Sequence, residues 1–213
     1  MPVCFASPHA PQRRPTGRLL DDRADRQFPC RCRCAVRHPV SGDSAHPAAL
    51  LLSCKADLVI GERPLRQRGL QSGLIGHLAY GLIIAPKLAA GWSDTPGWDQ
   101  LSTVHGIDFA PQDRIVLDQL ALCLPGSDPV GLRCHYVNNT AGVIAWAVAG
   151  GGFSAVPLHQ VRQELQEGRL RRLFPAVTMR RPLYWSALAG LAAPAATETV
   201  ARLKRYLPET YPG

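Results

Sequence analysis

The stretch His135–Pro157, HYVNNTAGVIAWAVAGGGFSAVP, decides how the rest of the chain is read. It is an apolar run entered through two asparagines and a threonine and left through three glycines. A bilayer-spanning helix needs roughly twenty apolar residues, and from Ala141 this run meets Gly150–Gly152 after only about half that length. A membrane helix is excluded. In phosphate loops the glycines follow a strand and open the helix, whereas here they close one, so the order is wrong for a nucleotide. Strand, helix, strand fits instead. Cys134–Val137 alternate, Asn138 or Asn139 offers a capping oxygen, Thr140–Ala149 continue as a helix, and the glycines end it in a left-handed cap. FSAVP then has the short apolar character of a buried parallel strand. Such a tight βαβ unit sets the positive end of a helix beside the carboxyl end of a strand, where open α/β sheets bind ligands. A small anion at Asn138, Asn139 and Thr140 and a plain helix cap without a ligand both satisfy this segment taken alone. Asn138-Asn139-Thr140 also matches the glycosylation acceptor pattern, which has meaning only in a secreted chain.

Length allows one ordinary domain or two small lobes, 213 residues being enough to bury a real core. The net charge of +8 comes almost wholly from arginines spread along the chain, which permits nucleic-acid binding without indicating it. The opening MPVCFASPHAPQRRP has no unbroken apolar core of a secretory signal, and no later run is long enough to cross a bilayer; a soluble cytoplasmic protein is expected. Of seven cysteines, Cys4, Cys30, Cys32, Cys34 and Cys54 crowd the first quarter, and Cys123 and Cys134 lie beyond. CRCRC lacks zinc-knuckle spacing, and His38 and His46 complete a site only on paper, so the cluster reads as free thiols in a reducing compartment, with no metal or other cofactor. There is no nucleophile elbow and no histidine pair with metal spacing on a helix, so no catalytic residue is expected and the chain is not read as an enzyme.

Residues 1–46, rich in Pro, Arg, His and Cys, sustain no period and are expected to be a disordered or irregular arm. From Ala48 the character changes: AALLLSC is a helical cluster and DLVIG a buried strand. Leu78–Ala85 is a further strand, followed by a short helix from Pro86 to Ala90, a weaker one around Trp98–Thr103, and a strand at GIDF. Asp113–Leu124 suits an amphipathic helix. After the βαβ unit come a helix over Leu158–Gln166, strands at Arg169–Phe174 and PLYWSAL, and a last helix over Ala196–Leu207. The expected class is α/β with a mostly parallel sheet.

The order CHYVNNTAGVIAWAVAGGGFSAVPLHQVRQELQEGRLRRLFP followed by RRPLYW resembles the effector-binding domain of LysR-type transcriptional regulators, and among them the arginine and lysine exporter regulators of the ArgP/LysG kind. The resemblance runs from about Asp57 to the C-terminus. It implies two Rossmann-like lobes of periplasmic-binding-protein type 2 topology over 47–213, the first lobe incomplete: a second lobe at about 86–168 and a first-lobe remnant at about 47–77 and 175–213. Crossover strands are then expected near Leu78–Ala85 and Arg169–Phe174, with a lysine or arginine effector between the lobes. The effector's carboxylate is expected on Asn138, Asn139 and Thr140, and Asp108 and Asp113 are the weaker candidates for its ammonium group. Two departures stand out. Residues 1–46 carry none of the helix-turn-helix and linker pattern with which the family starts, so operator recognition by this chain alone is not expected. Where the subgroup carries an acidic or amide residue after the phenylalanine of DFAPQD, this chain has Ala110. A homodimer, or a mixed dimer with a full-length regulator, is compatible with this reading, and no membrane partner is expected. The competing readings are a stand-alone solute-binding protein of the same topology and a non-functional truncated remnant.

Overall fold

The computed structural model describes residues 3–6, 38–41, 46–127, 129, 131–190 and 194–209. Strands β1 (Val3–Ala6) and β2 (His38–Ser41) come first, then helix α1 (Pro47–Leu52), β3 (Leu58–Gly61) and the long β4 (Leu70–Ile84). Next are α2 (Trp98–Leu101), β5 (Gly106–Asp108), α3 (Ile115–Cys123), β6 (Cys134–Tyr136), α4 (Thr140–Ala149) and β7 (Phe153–Pro157). The chain ends through α5 (Arg162–Gln166), β8 (Arg171–Leu173), β9 (Met179–Leu188) and α6 (Pro194–Glu209). Two compact units result: one from Met1–Ile75 and Leu183–Lys204, the other from Gly76–Pro182 and Arg205–Gly213. β4 and β9 run from one unit into the other.

In the second unit the run LAYGLIIA supplies Tyr80, Leu82, Ile83 and Ile84, all buried, and they pair antiparallel with the equally buried FSAVP of β7. Apolar residues at every position, not every second one, are what a strand covered on both faces requires. β7 then pairs parallel with β5, and β5 parallel with β6. α3 buries Ile115, Val116 and Leu120, and α4 buries Val143 and Ala147, all in one core with Ile107 and Phe153. Burying one such large side chain is worth about 1.5–3 kcal/mol. The β6–α4–β7 unit is therefore a true βαβ, except that its strands are not neighbours: β5 lies between them.

The glycine tract closes α4 in three ways. Gly150 is left-handed (φ 86), and the amides of Gly150 and Gly151 donate to Ala147 O and Trp146 O at 3.0 and 2.9 Å. The Trp146 indole occupies the space a side chain on Gly151 would need. Gly152 (φ 153) passes the carbonyl of His105, leaving no room for a Cβ. From outside the helix, the Lys87 ammonium donates to Ala149 O at 2.7 Å, a cation at the negative end of the dipole.

Several expectations need correction. The sheet is not mostly parallel: among the described ladders only β5–β6 and β5–β7 are parallel, and β1–β2, β1–β3, β3–β9, β4–β7 and β4–β8 are antiparallel. β4 begins at Leu70, not Leu78, because its first half is a partly exposed strand whose Gln71, Ser72, Gly73 and Gly76 carry no apolar signal. The stretch read as a second crossover is the short β8, wholly inside the second unit; β9 makes the passage instead. β8 is stopped by left-handed Phe174 (φ 49) and pinned by Arg171 Nη2 on Ser93 O and Arg172 Nη2 on Val177 O, each at 2.8 Å. Within the arm read as irregular, β1 and β2 are strands, β1 pairing with β3; the rest of that arm up to His46 lies outside the described residues. Cys54 stands in a disulfide, so not all of the clustered cysteines are the free thiols expected.

The cap and the close approach give a ranked prediction. Asn139→Ala removes one capping bond and lowers stability by about 1 kcal/mol. Gly152→Ala forces a Cβ against a backbone carbonyl in a conformation that L-residues avoid, and costs more than the roughly 1 kcal/mol that a compatible glycine replacement would gain. Urea unfolding of the two variants measures this; the reverse ranking contradicts it.

Candidate functional site

The parallel strands β5 and β6 end side by side, Asp108 opposite Tyr136, with the Val137 amide donating to Asp108 O at 2.9 Å. The turn Val137–Thr140 and the loop Phe109–Arg114 thus leave neighbouring strand ends on the same edge of the sheet, each running into a helix. All five residues expected in the site, Asn138, Asn139, Thr140, Asp108 and Asp113, sit at this edge, in different roles.

At α4 the capping residue is Asn139, extended at φ −152, whose Oδ1 accepts from the Gly142 amide at 2.7 Å. Asn138 Oδ1 accepts from Asn139 Nδ2 at 3.4 Å. Gly142 has to be small, since a Cβ there would stand 2.6 Å from Val137 Cγ1. The first amides of a helix have no partner within it; among the described residues, those of Thr140 and Ala141 have no acceptor elsewhere either. The cap is real, and it leaves two donors at the positive end of a ten-residue helix.

Asp108 behaves differently. It is buried, 4 % exposed, and its Oδ1 accepts from Phe109 N at 2.8 Å and its Oδ2 from Val116 N at 3.2 Å. It caps α3 from the strand, because Arg114 at the local capping position is left-handed (φ 50) and offers no side-chain bond. Burial pushes the Asp108 carboxyl above its ordinary 3.8; the Phe109 and Val116 amides pull it back, and the charge of Asp113 pushes it up again. Asp113 is exposed, its amide closing a turn on Ala110 O at 3.0 Å. Arg114 is a residue the sequence reading missed. It is exposed at the same strand end, in a backbone conformation that costs a non-glycine residue on the order of 1 kcal/mol. Its only trace in the sequence is its place just before an apolar helical period. Among the described residues no cluster of three or more His, Cys, Asp or Glu side chains is placed to hold a metal, and no helix is long and apolar enough to cross a membrane.

The family model of the LysR substrate-binding domain matches residues 38–207, most of the chain. The chain belongs to that family. Its fold is accordingly that of the LysR regulatory domains, α/β of periplasmic-binding-protein type 2 topology. The C-terminal domains of a LysR family protein from Agrobacterium tumefaciens superpose with a TM-score of 0.61 at 25% identity, covering 79% of both chains. ArgP from Mycobacterium tuberculosis gives a TM-score of 0.66 at 20% identity, over 78% of this chain and 58% of that one. LysG from Corynebacterium glutamicum, solved with bound effector Arg, gives 0.61 at 18%, over 78% and 57%. Among curated relatives, the HTH-type transcriptional regulator ArgP of Pseudomonas fluorescens is 33% identical over 129 residues, 60% of this chain and 42% of the relative. That of Aeromonas salmonicida is 37% identical over 114 residues, 52% of this chain and 37% of the relative. This LysR substrate-binding domain thus aligns with about two fifths of the length of the curated relatives it matches.

The buried cap of α3 sets a pH dependence. The folded state holds the Asp108 proton more tightly than the unfolded chain, so this residue's contribution to stability is largest below 3.8 and is lost as pH rises through the higher native value. Carboxyl-carbon NMR should place the Asp108 midpoint above 3.8; a midpoint at or below it contradicts the dominance of burial over the amide bonds.

Proposed function

We propose that this chain is the effector-sensing part of a LysR-type transcriptional regulator that takes a basic amino acid, arginine or lysine, and controls amino-acid export genes in the full-length protein. The observation that carries the reading is the pair of unpartnered amides, Thr140 and Ala141, at the positive end of α4, beside a strand end that carries exposed Asp113. The ArgP relatives and the LysG structure with bound Arg support the choice of ligand class.

The α-carboxylate of the effector accepts from Thr140 N–H and Ala141 N–H, with Asn138 and Asn139 shaping the turn that presents them. Hydrogen bonds to a charged group are worth about 1.5–3 kcal/mol each. Asp113 pairs with a cationic group of the ligand, and Arg114 adds a second cation for the carboxylate. Asp108 acts one step back: its carboxylate is taken up by backbone amides, so it holds the start of α3, and with it the loop that bears Asp113 and Arg114. No covalent step is involved, and the chain works by binding. An effector acts on such a domain only through a difference in affinity between its conformations. The regulator works in the cytoplasm, as a homodimer or as a mixed dimer with a full-length copy.

Calorimetric titration tests this. Arginine or lysine should bind the folded chain saturably at millimolar concentration or below, glutamate should bind more weakly, and Asp113→Asn should weaken arginine at least tenfold, about 1.4 kcal/mol. The absence of saturable heat with either basic amino acid overturns the reading.

A further inference from the structure

The β3–β4 loop of the first unit, Glu62–Gly69, reads ERPLRQRG. Arg63, Arg66 and Arg68 are exposed on it, and among the described residues their guanidinium groups enter no ion pair or hydrogen bond. Beside this loop is a cavity of about 580 Å³, its lining including Leu65, Arg66, Gln67, Ser72, Leu74 and Tyr184. Small-molecule sites occupy about 300–1,000 Å³, so the volume suits a compact ligand.

The wall is fixed before any ligand arrives. Ser72 Oγ donates to Leu65 O at 3.1 Å, Ser72 Oγ and Ser186 Oγ share a bond at 2.7 Å, and Ser186 Oγ accepts from Leu65 N at 3.3 Å. Ser186 is 2 % exposed, so this network ties the loop to the buried side of β9. Behind it the Trp185 indole packs on Gly73, where a Cβ would stand 2.5 Å from Nε1. With the two serines committed to the loop, the other polar residues lining the cavity are Arg66, Gln67 and Tyr184, together with apolar Leu65, Leu70 and Leu74. Leu74 is 44% exposed, a large apolar side chain on the cavity wall.

We propose that this cavity is a second ligand site, for a small monocarboxylate with an apolar tail, its carboxylate on Arg66 and its tail against Leu65 and Leu74. The chemistry differs from that at α4. A basic amino acid brings a cation toward a loop whose three arginines outnumber its one acid, Glu62, whereas a monocarboxylate brings the complementary charge; an inorganic anion leaves the apolar wall unused. The site is contained in the first unit and does not depend on the reading of the α4 edge.

The test is calorimetry on the whole chain with hexanoate, inorganic phosphate and arginine as separate probes. Hexanoate should bind saturably and at least tenfold more tightly than phosphate. Arg66→Gln should weaken hexanoate at least tenfold, and Arg63→Gln, which removes the same charge, less than threefold. Arginine affinity should be the same in Arg66→Gln as in the parent chain, which separates this site from the one on α4. Circular dichroism and thermal unfolding confirm that the variants are folded. Three results overturn the proposal: no saturable hexanoate binding, equal affinity for hexanoate and phosphate, or unchanged hexanoate affinity in folded Arg66→Gln.

Discussion

One buried carboxylate organises the edge on which the functional reading rests. Asp108 ends a strand of only three residues, and its oxygens take the amides of Phe109 and Val116, so strand, loop and helix are locked at a single point. Beside it, Ser154 Oγ donates to Ile107 O at 2.6 Å, holding β7 against β5. A carboxyl group this deep would be costly unbonded. Its partners here are all local backbone, which makes it a fastener for the loop carrying Asp113 and Arg114. A short strand between two parallel neighbours gains little from its own ladder, so its position depends on these side-chain bonds and on the burial of Ile107.

The arginines divide in a way that net charge conceals. Arg171 and Arg172 are spent on carbonyls of neighbouring turns, at Trp92, Ser93 and Val177. Arg169 pairs with Glu164 and Glu167 at the surface, and Arg202 with Glu198 along α6. Exposed pairs of this kind contribute little, from about 0 to 1 kcal/mol each. Arg63, Arg66 and Arg68 form a separate group on one loop, where the three outnumber its single acid, Glu62. A total of +8 spread along a sequence distinguishes none of these uses.

How much of this was legible depended on how local the signal was. The cap, helix and glycine stop of α4 are written in consecutive residues, and the sequence reading placed α4 at Thr140–Ala149, as found. Strands β3 and β7 were also plain, since burial on both faces leaves a short run that is apolar throughout in LVI and broken only by Ser154 in FSAVP. Direction was not legible: nothing in FSAVP tells whether its neighbour runs parallel or antiparallel, and it has one of each. Nor was the first half of β4, where polar residues and glycines interrupt the pattern. Asp113 beside Asp108 looked like a pair of equivalent acids. Only the fold shows one buried in backbone bonds and the other exposed.

The central claim, that the start of α4 is an anchor for an effector carboxylate, is tested most directly by following backbone amides in a nitrogen–proton correlation spectrum while arginine is added. The account predicts that the largest shifts fall on Thr140 and Ala141, followed by the loop at Asp113 and Arg114. Saturating shifts confined to the first unit, or arginine binding that leaves the Thr140 and Ala141 amides unmoved, would contradict it.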